Sequence, residues 1–383
     1  MKTFSDNKIL DTIRTLSKFC FAGLVVMWLV FWYISGSYTG MFKFFFTYYV
    51  SSQYFMDPPS KTQLFEGALK GMVNALGEPH SQYLDKEDLE AIKQATESTY
   101  SGVGIVLGKR DSSAEVVSAV SGQPAAEAGI QSGDLIKAVD GVETSKLTLE
   151  ETSKRIRGEA DSIVVLTIVH DGVTKDYNIV RKRITLPTVE GKMLGSNIGY
   201  IRISQFAELT GSDFKKTYLE LQEKGMKKLI LDLRNNPGGL VTTARDVADY
   251  ILPSGDLVSI KSRIGKTEVY ESQGLGSNIP LVVLINKGSA SASEIIAGAV
   301  QDREAGTIIG TNSYGKGTVQ TVIPALDNEG VKITIAKYHT PKDRVIDGIG
   351  INPDIEVVLT DTDRQSGIDS QLNKALEIIG GSK

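Results

Sequence analysis

Cysteine is nearly absent from this 383-residue sequence, which excludes most chemistry that depends on sulfur. The one cysteine, Cys20, cannot form a disulfide within the chain, and it cannot by itself supply the thiolates of a zinc or iron–sulfur cluster. Histidine is scarce as well, since His80, His170 and His339 lie far apart and without the spacing of metal ligands. We therefore expect neither a metal nor any other cofactor.

The sequence also lacks a large excess of either positive or negative charge. The sequence has 42 basic and 46 acidic residues, a formal net charge of −4, and no block of basic residues that would bind phosphates. A nucleic acid is therefore not an expected partner. The hydrophobic fraction of 41% is enough for two compact domains with connecting helices.

One long apolar run, Phe19–Ile34, contains no charged residue. It follows four basic residues, Lys2, Lys8, Arg14 and Lys18. Its 16 residues are fewer than the roughly 20 that span a bilayer, although apolar residues extend it from Leu16 toward Phe42. Bulky side chains after the run's midpoint favour an uncleaved, single-pass membrane anchor over a cleaved signal peptide. In the first case the catalytic part is held outside the cytoplasm at the cell membrane, and in the second the protein is secreted or periplasmic.

Four regions follow from these patterns. Residues 1–40 form the membrane segment, and helical spacing of apolar positions predicts a helical region over 41–96, interrupted at Gly77–Pro79. Residues 97–183 are rich in strand-forming residues, with helices predicted at Ala125–Ala128 and Leu149–Arg157. Over 184–383, strands alternate with helices, which is typical of an α/β sheet with crossover helices.

In the last region the apolar patterns predict individual elements. Strands are expected at Gly199–Ile203, Lys228–Leu233, Leu281–Ile285 and Thr307–Ile309. Helices are expected at 210–224, 242–251 and 292–301. The chain is expected to close with a strand pair, Val331–Tyr338 and Asp354–Leu359, and a helix from Ile368 to Ile379.

A segment bracketed by glycines, Ser101-Gly102-Val103-Gly104-Ile105, opens the strand-rich region. The glycines let consecutive backbone N–H groups turn toward one point and bind a carboxylate, and an extended peptide can pair with the strand that starts at Ile105. Alone, the segment would be an ordinary turn. Together with the motifs Pro124–Ile130, Ser132–Asp134 and Val139–Gly141, it resembles the PDZ domains of bacterial proteases. The resemblance implies that residues 97–183 bind free protein C-termini.

At the end of the predicted strand Leu281–Ile285 lies a cluster of three serines, Ser289, Ser291 and Ser293. Ser291-Ala-Ser-Glu294 matches a capping box, in which the serine and the glutamate satisfy only backbone donors of the helix. A helix N-terminus also favours developing negative charge, so the same position suits a nucleophile. The local pattern leaves both interpretations open.

A serine nucleophile needs a base. His339 lies in a strand pattern with no evident route to the serines, which also lack the G-x-S-x-G motif. Lys316 is the alternative, provided that burial lowers its pKa from about 10.4 toward neutrality so that the free amine can accept a proton. Gly310–Lys316 also fits the start of a nucleotide-binding P-loop, but Gly317 replaces the Ser or Thr that would hold magnesium.

Four motifs, Asp232–Gly239, Gly288–Glu294, Tyr314–Gln320 and Gly348–Asp354, resemble consecutive blocks of the carboxy-terminal processing, or tail-specific, proteases. The resemblance implies a PDZ domain followed by a crotonase-like α/β protease core. In that family the serine before Ala-Ser-Glu is the nucleophile, the lysine of Gly-Lys-Gly is the general base, and the glutamine four residues later orients the lysine. These residues are here Ser291, Lys316 and Gln320.

The resemblance also implies an oxyanion hole. One donor is expected from Gly238 or Gly239, which follow a predicted strand and can point a backbone N–H at a carbonyl oxygen, and the other is the amide of Ala292. Asp302 is expected to hold a loop rather than to transfer protons.

The sequence therefore predicts an exported serine endopeptidase that cleaves proteins near unstructured C-termini by acylation of Ser291. Its expected partners are proteins or peptides with free C-termini and, through the N-terminal segment, the membrane; a homo-oligomer is left open. The alternative is a PDZ scaffold of the cell envelope with an inactive protease core. Intact Ser291, Lys316 and Gln320 argue against that alternative.

Overall fold

The computed structural model describes residues 3–37, 39–110, 113–276 and 278–381. The chain divides into two compact units, residues 1–83 and residues 84–383. Of the residues discussed above, Lys2 lies outside the described part, as do the side chains of Lys8 and Cys20.

The first unit is helical, as the sequence predicts. It contains α1 (Thr3–Ser35), α2 (Gly40–Tyr54) and α3 (Lys61–Asn74), and the short strand β1 (Gln82–Leu84) follows. A capping box starts α3, because the Ser60 N–H donates to Gln63 Oε1 (2.8 Å) and the Gln63 N–H donates to Ser60 Oγ (3.2 Å).

The predicted apolar run lies within α1, where side chains such as Phe19 and Phe21 are exposed. Among the described residues, no helix has both the length and the apolar character needed to cross a membrane. This finding does not support the predicted membrane-spanning helix.

The second unit begins with α4 (Lys86–Glu97) and the strand-rich region. The strands of this region are β2 (Thr99–Gly102), β3 (Ile105–Arg110), β4 (Ser113–Ala119), β5 (Leu135–Val139), β6 (Val142–Glu143), β7 (Ile163–His170), β8 (Val173–Val180) and β9 (Lys182–Thr185). Its helices, α5 (Pro124–Glu127) and α6 (Leu149–Ile156), confirm the two that the sequence predicts.

These strands form an antiparallel sheet of order β3-β4-β5-β7-β8, with β6 paired to β5, and a separate pair of β2 with β9. Inward-facing residues such as Val116, Ile136, Leu166 and Ile168 form its core. β3 stands at one edge of this sheet, so its outer backbone groups can pair with an added strand.

The rest of the second unit alternates strands and helices. Its strands are β10 (Val189–Leu194), β11 (Ile198–Ile203), β12 (Lys228–Asp232), β13 (Gly255–Ser262), β14 (Thr267–Ser272), β15 (Leu281–Ile285), β16 (Thr307–Gly310), β17 (Thr318–Pro324), β18 (Gly330–His339) and β19 (Ile355–Glu356). Its helices are α7 (Thr210–Glu223), α8 (Val241–Ile251), α9 (Ala292–Asp302), α10 (Asp361–Ser366) and α11 (Ser370–Gly381).

The main sheet of this region has the strand order β10-β11-β12-β15-β16-β19. β10 is antiparallel to β11, and the other neighbours run parallel. Alternate residues face opposite sides: Leu231 and Val283 belong to the core that contains α7, α8 and α9, whereas Ile230 and Val282 pack with Ala375 of α11. Since β12 and β15 are parallel neighbours, the loops after them lie at the same edge of the sheet.

A second sheet of the same region is antiparallel, with β17, β18, β13 and β14 as successive neighbours. The predicted pairing of Val331–Tyr338 with Asp354–Leu359 is therefore wrong. β18 bonds to β17 and β13, while β19 is only two residues long and lies parallel to β16 in the main sheet. Periodicity identifies an extended segment, but it carries no information on which strand that segment bonds.

Candidate active site

Ser291 lies between the end of β15 and the first residue of α9. Its backbone has φ 53° and ψ −113°, which L-residues rarely adopt and which costs about 1–3 kcal/mol. The residue is only 6% exposed. At a helix N-terminus the first N–H groups lack intrahelical partners and favour negative charge. An attacking serine oxygen would be stabilised at this position.

The two flanking serines have structural roles. Ser289 Oγ donates to the carbonyl of Leu233 (2.8 Å), and Ser293 Oγ donates to the carbonyl of Asn236 (3.0 Å). Both serines are fully buried. They fasten the turn around Ser291 to the loop that follows β12.

The Ser291 hydroxyl lies near the phenol of Tyr338 on β18. Burial raises the pKa of Tyr338, so the phenol is protonated at neutral pH. The sequence pattern assigns Tyr338 no role, because it is one of several apolar residues in an alternating strand. The next residue, His339, faces the other side of that strand, and its Nδ1 lies 2.9 Å from Asp343 Oδ1. His339 is therefore directed away from Ser291, as the sequence predicts.

Glu294 is fully buried and joins the serine turn to the loop that contains Lys316. Its Oε2 accepts the backbone N–H of Ser291 (2.8 Å) and that of Lys316 (2.9 Å). Its Oε1 accepts the Ser313 hydroxyl (2.5 Å) and the Gly315 N–H (2.7 Å). The glutamate of the predicted capping box thus bonds the Ser291 N–H as expected, and it also holds the Lys316 loop, which the local pattern could not indicate.

Lys316 is partly buried, and glycines allow its loop to pack closely. A Cβ on Gly317 would lie 2.2 Å from the backbone nitrogen of Asp347, so only glycine fits there. Gln320 follows on β17, where its Nε2 donates to Thr318 Oγ1 (2.8 Å) and Thr334 Oγ1 (3.1 Å). These two bonds fix the orientation of the side-chain amide, whose carbonyl oxygen can accept a hydrogen bond from another group.

The loop after β12 contacts Ser291 directly. A Cβ on Gly238 would lie 2.8 Å from Ser291 Cβ and 2.9 Å from the Ala292 nitrogen, so the glycine is required for this approach. The Gly238 N–H already donates to Asn236 Oδ1 (2.8 Å). Gly239 has φ +144°, and a Cβ there would meet the carbonyl oxygen of Phe206 at 2.1 Å.

Asp302, at the end of α9, fits the predicted structural role. Its Oδ2 accepts the Lys342 N–H (2.8 Å), and its Oδ1 pairs with Arg344 (2.5 Å). The carboxylate therefore fixes the loop after β18.

The predicted carboxylate-binding segment joins β2 to β3. The Val103 carbonyl accepts the Ala125 N–H, and the Gly104 carbonyl accepts the Val120 N–H, both at 2.9 Å. Gly104 has φ +78°, and a Cβ on it would lie 2.4 Å from Gln123 Cβ. The loop is therefore tightly packed directly before the edge strand β3.

Three family models match the chain. Peptidase family S41 matches residues 197–357, a PDZ domain model matches 115–169, and the N-terminal domain of the activating protease CtpB matches 35–88. The first match contains the turn at Ser291 and the loop of Lys316, and the second lies within the strand-rich region.

Whole-chain relatives agree with these matches. A carboxy-terminal-processing protease of Bartonella bacilliformis is 40% identical over 326 residues, which are 83% of this chain and 75% of that protein. A carboxyl-terminal-processing protease of a Synechocystis species is 37% identical over 327 residues, 82% of this chain and 76% of that protein. A solved structure described as a photosystem II D1 C-terminal processing protease is 32% identical, covers 79% of this chain and 83% of its own, and has a TM-score of 0.51.

Proposed function

Because the chain belongs to peptidase family S41 and is a carboxy-terminal processing serine protease, we propose that Ser291 is its nucleophile and Lys316 its general base. The neutral amine of Lys316 takes the proton of the Ser291 hydroxyl as Oγ bonds to the scissile carbonyl carbon. The resulting ammonium then protonates the leaving amine as the C–N bond breaks. Water then attacks the acyl-enzyme while Lys316 takes a proton from it. The Lys316 ammonium returns a proton to Ser291 Oγ as the ester bond breaks.

The observation that carries this proposal is the position of Glu294. One buried carboxylate oxygen bonds the backbone N–H of both Ser291 and Lys316, at 2.8 and 2.9 Å, which keeps the nucleophile turn and the base loop together. The position of Gln320 supports its proposed role, which is to orient Lys316. Two threonines hold its amide nitrogen, and its carbonyl oxygen can accept a hydrogen bond from an ammonium group.

For the oxyanion hole we propose the backbone amides of Gly239 and Ala292. The Gly238 N–H is engaged by Asn236, so Gly238 contributes by letting the loop approach Ser291 rather than by donating. One oxyanion donor is typically worth roughly 2.7–4 kcal/mol of transition-state stabilisation.

The substrates proposed are exported proteins with unstructured, free C-termini. The terminal carboxylate would be held by the backbone amides of the loop Ser101–Gly104, and the residues before it would extend the sheet at the edge of β3, beginning at Ile105. The close packing of Gly104 and the position of β3 at the edge of its sheet support this mode of binding.

We also propose that the apolar run in α1 attaches the protein to the membrane with the catalytic part outside the cytoplasm. Exposed apolar side chains between Leu16 and Tyr33, preceded by basic residues, support attachment. Cell fractionation tests this proposal: the full chain should stay with the membranes through a high-salt wash and leave them in detergent. A chain found entirely in the soluble fraction would refute it.

Hydrolysis of an unfolded protein such as casein tests the catalytic proposal. The wild-type protein should digest casein, and Ser291→Ala should abolish digestion while its thermal unfolding stays cooperative. A folded Ser291→Ala variant that digests casein at the wild-type rate would exclude Ser291 as nucleophile. A wild-type protein that binds C-terminal peptides without cleaving anything would favour the inactive scaffold.

A further inference from the structure

Phe206, in the segment between β11 and α7, is bonded to the loop that contains the proposed oxyanion donor. Its N–H donates to the carbonyl of Gly238 (2.9 Å), and its carbonyl accepts the N–H of Leu240 (2.8 Å). These two bonds form a short parallel β-bridge between Phe206 and Gly239. The bridge uses both backbone groups of Phe206 but neither of Gly239, so it leaves the Gly239 N–H to donate elsewhere, as an oxyanion donor must.

The two segments of this bridge are in close contact. A Cβ on Gly239 would lie 2.1 Å from the carbonyl oxygen of Phe206, and Phe206 is itself fully buried. The position of the Phe206 backbone therefore determines the position of the Gly239 amide.

Thr210, the first residue of α7, bonds the residues on both sides of Phe206. Its Oγ1 accepts the Ala207 N–H (2.9 Å) and donates to the Gln205 carbonyl (3.0 Å). Its third contact is with Thr188 Oγ1 (2.6 Å). A hydroxyl has one proton and two lone pairs, and the Thr210 proton goes to Gln205, so Thr188 is the donor in the bond between the two threonines. All three hydrogen-bonding positions of the Thr210 hydroxyl are thus filled.

Burial makes these bonds hard to replace. Thr210 is fully buried, and Thr188 is only 6% exposed. Water does not compete for the bonds at this depth, so removal of the Thr210 hydroxyl takes the acceptor from the Ala207 N–H inside the protein. The segment 205–207 would then have to shift to regain a partner.

We propose that Thr210 is a positioning residue for catalysis. Its hydroxyl fixes the residues on both sides of Phe206, and the backbone of Phe206 fixes Gly239 where its N–H can donate to the oxyanion. Thr210 acts through these residues and not by contact with the substrate. This inference rests on the proposed function, in which Ser291 is the nucleophile and Gly239 an oxyanion donor.

Three substitutions separate the hydroxyl of Thr210 from the shape of its side chain. Thr210→Val replaces the hydroxyl with a methyl group, whereas Thr210→Ser keeps the hydroxyl and removes the methyl group. Thr188→Val is the matched control, because it removes the neighbouring buried hydroxyl and leaves the bonds from Thr210 to Gln205 and Ala207 in place.

The assay uses a peptide substrate blocked at both ends and a peptide aldehyde of the same sequence. Values of kcat and KM come from the substrate, and an inhibition constant comes from the aldehyde. In the aldehyde complex, Ser291 Oγ bonds to the carbonyl carbon and the serine proton goes to the former carbonyl oxygen, which lies in the oxyanion hole. Neither peptide has a free C-terminal carboxylate, so neither reports on binding to the loop Ser101–Gly104.

In the Thr210→Val variant, kcat should fall and the inhibition constant should rise, each about tenfold or more, because a displaced oxyanion donor weakens binding of the transition state. KM should change less than about threefold, since the donor contributes little to binding of the ground state. Thr210→Ser and Thr188→Val should behave like the wild type.

The outcomes separate this inference from the proposed function. If Ser291→Ala binds the aldehyde as tightly as the wild type, the assignment of the nucleophile fails, whatever Thr210 does. If Ser291→Ala loses the aldehyde and folded Thr210→Val keeps the wild-type kcat and inhibition constant, only the role of Thr210 is overturned. A rise in KM alone would overturn it too, as would a Thr210→Ser variant that is as impaired as Thr210→Val.

Thr243→Val keeps the test valid if Thr210→Val does not fold. Thr243 Oγ1 donates to the Ala207 carbonyl (3.2 Å), so this variant loosens the same segment through a separate bond. The aldehyde should then bind about threefold more weakly or worse, with KM unchanged. Unchanged affinity for the aldehyde in folded Thr243→Val would contradict the proposal.

Discussion

Ser289, Ser291 and Ser293 alternate within five positions, yet their hydroxyls bind different groups. Those of Ser289 and Ser293 donate to backbone carbonyls of the loop after β12, while that of Ser291 lies near the phenol of Tyr338. The first two therefore stabilise the site, and the third is the proposed nucleophile.

Single alanine substitutions test this division. Ser289→Ala and Ser293→Ala each remove one hydrogen bond from a buried carbonyl that keeps a backbone N–H donor, so each should lower the free energy of unfolding by about 0.5–1.5 kcal/mol. The folded variants should still digest casein measurably. Chemical denaturation and casein hydrolysis give the two readouts. The division fails if folded Ser289→Ala is as inactive as Ser291→Ala.

Replacement of Glu294 should disturb the site more than any other single change that leaves the side chains of Ser291 and Lys316 in place. Its carboxylate accepts four hydrogen bonds, whereas glutamine has one acceptor oxygen and would direct its NH2 group at backbone N–H donors. Glu294→Gln should therefore lower the free energy of unfolding by about 3 kcal/mol or more and reduce kcat. Glu304→Gln, at an exposed acid just after α9, is the control and should change neither. Equal effects of the two substitutions would contradict this role.

At the scale of elements, the PDZ sheet contains a pH-sensitive ion pair. His170 is the last residue of β7. Its Nδ1 lies 2.5 Å from Oδ1 of the buried Asp134, and its Nε2 lies 3.5 Å from Oδ2 of the exposed Asp171. The hydrogen bond and charge of Asp134 raise the pKa of His170 above 6.5. A raised pKa in the folded state means that the pair stabilises the fold below the unfolded pKa and that this stabilisation is lost as pH rises through the folded pKa.

We therefore expect the Tm difference between the wild type and His170→Gln to be larger at about pH 6 than at about pH 9. Asp171→Asn removes the weaker of the two contacts and should keep most of this pH dependence. Thermal unfolding of the full chain at both pH values provides the measurement. An equal difference at the two values would exclude the pair as the cause.

Much of the element order could be predicted from the sequence, because buried strands and amphipathic helices carry strong periodicity. The predicted strand Leu281–Ile285 is confirmed, and the observed bounds of α7, α8 and α9 differ from the predicted ones by one residue. The strands β13, β14 and β17 carry weaker patterns, since they are only partly buried and contain many polar residues. Sheet partners, such as those of β18, could not be predicted because they depend on tertiary contacts.

The same limit applies to the site. The family motifs identify Ser291, Lys316 and Gln320 as site residues. They do not reveal the role of Glu294, because a helix cap fully explains a glutamate at that position. Its bonds to Ser313, Gly315 and Lys316 join segments about twenty residues apart, so a local pattern cannot reveal them.

The whole molecule combines a PDZ domain with a protease core, and we propose that the PDZ domain delivers the substrate. A matched pair of peptides, one with a free C-terminus and one amidated, tests this assignment. Amidation removes the charge that the loop Ser101–Gly104 would bind, so affinity should fall roughly ten- to a hundredfold. Hydrolysis by the full protein should fall in step if the PDZ domain delivers substrate.

A variant of the loop provides the control. Gly104→Ala introduces a Cβ where φ is +78° and Gln123 lies 2.4 Å away, so the loop must deform. This variant should no longer distinguish the acid from the amide. Equal binding of both peptides by the wild type would refute carboxylate recognition, and weaker binding of the amide with unchanged hydrolysis would refute delivery.

The most direct test of the account is casein hydrolysis by Lys316→Arg across a range of pH, beside Lys316→Ala and the wild type. A guanidinium keeps its positive charge but stays protonated, so it cannot accept the serine proton. If Lys316 is the general base, wild-type activity rises with pH as the lysine loses its proton, and Lys316→Arg is as inactive as Lys316→Ala at every pH. Substantial activity in folded Lys316→Arg would show that Lys316 contributes only charge and would contradict the Ser291/Lys316 dyad.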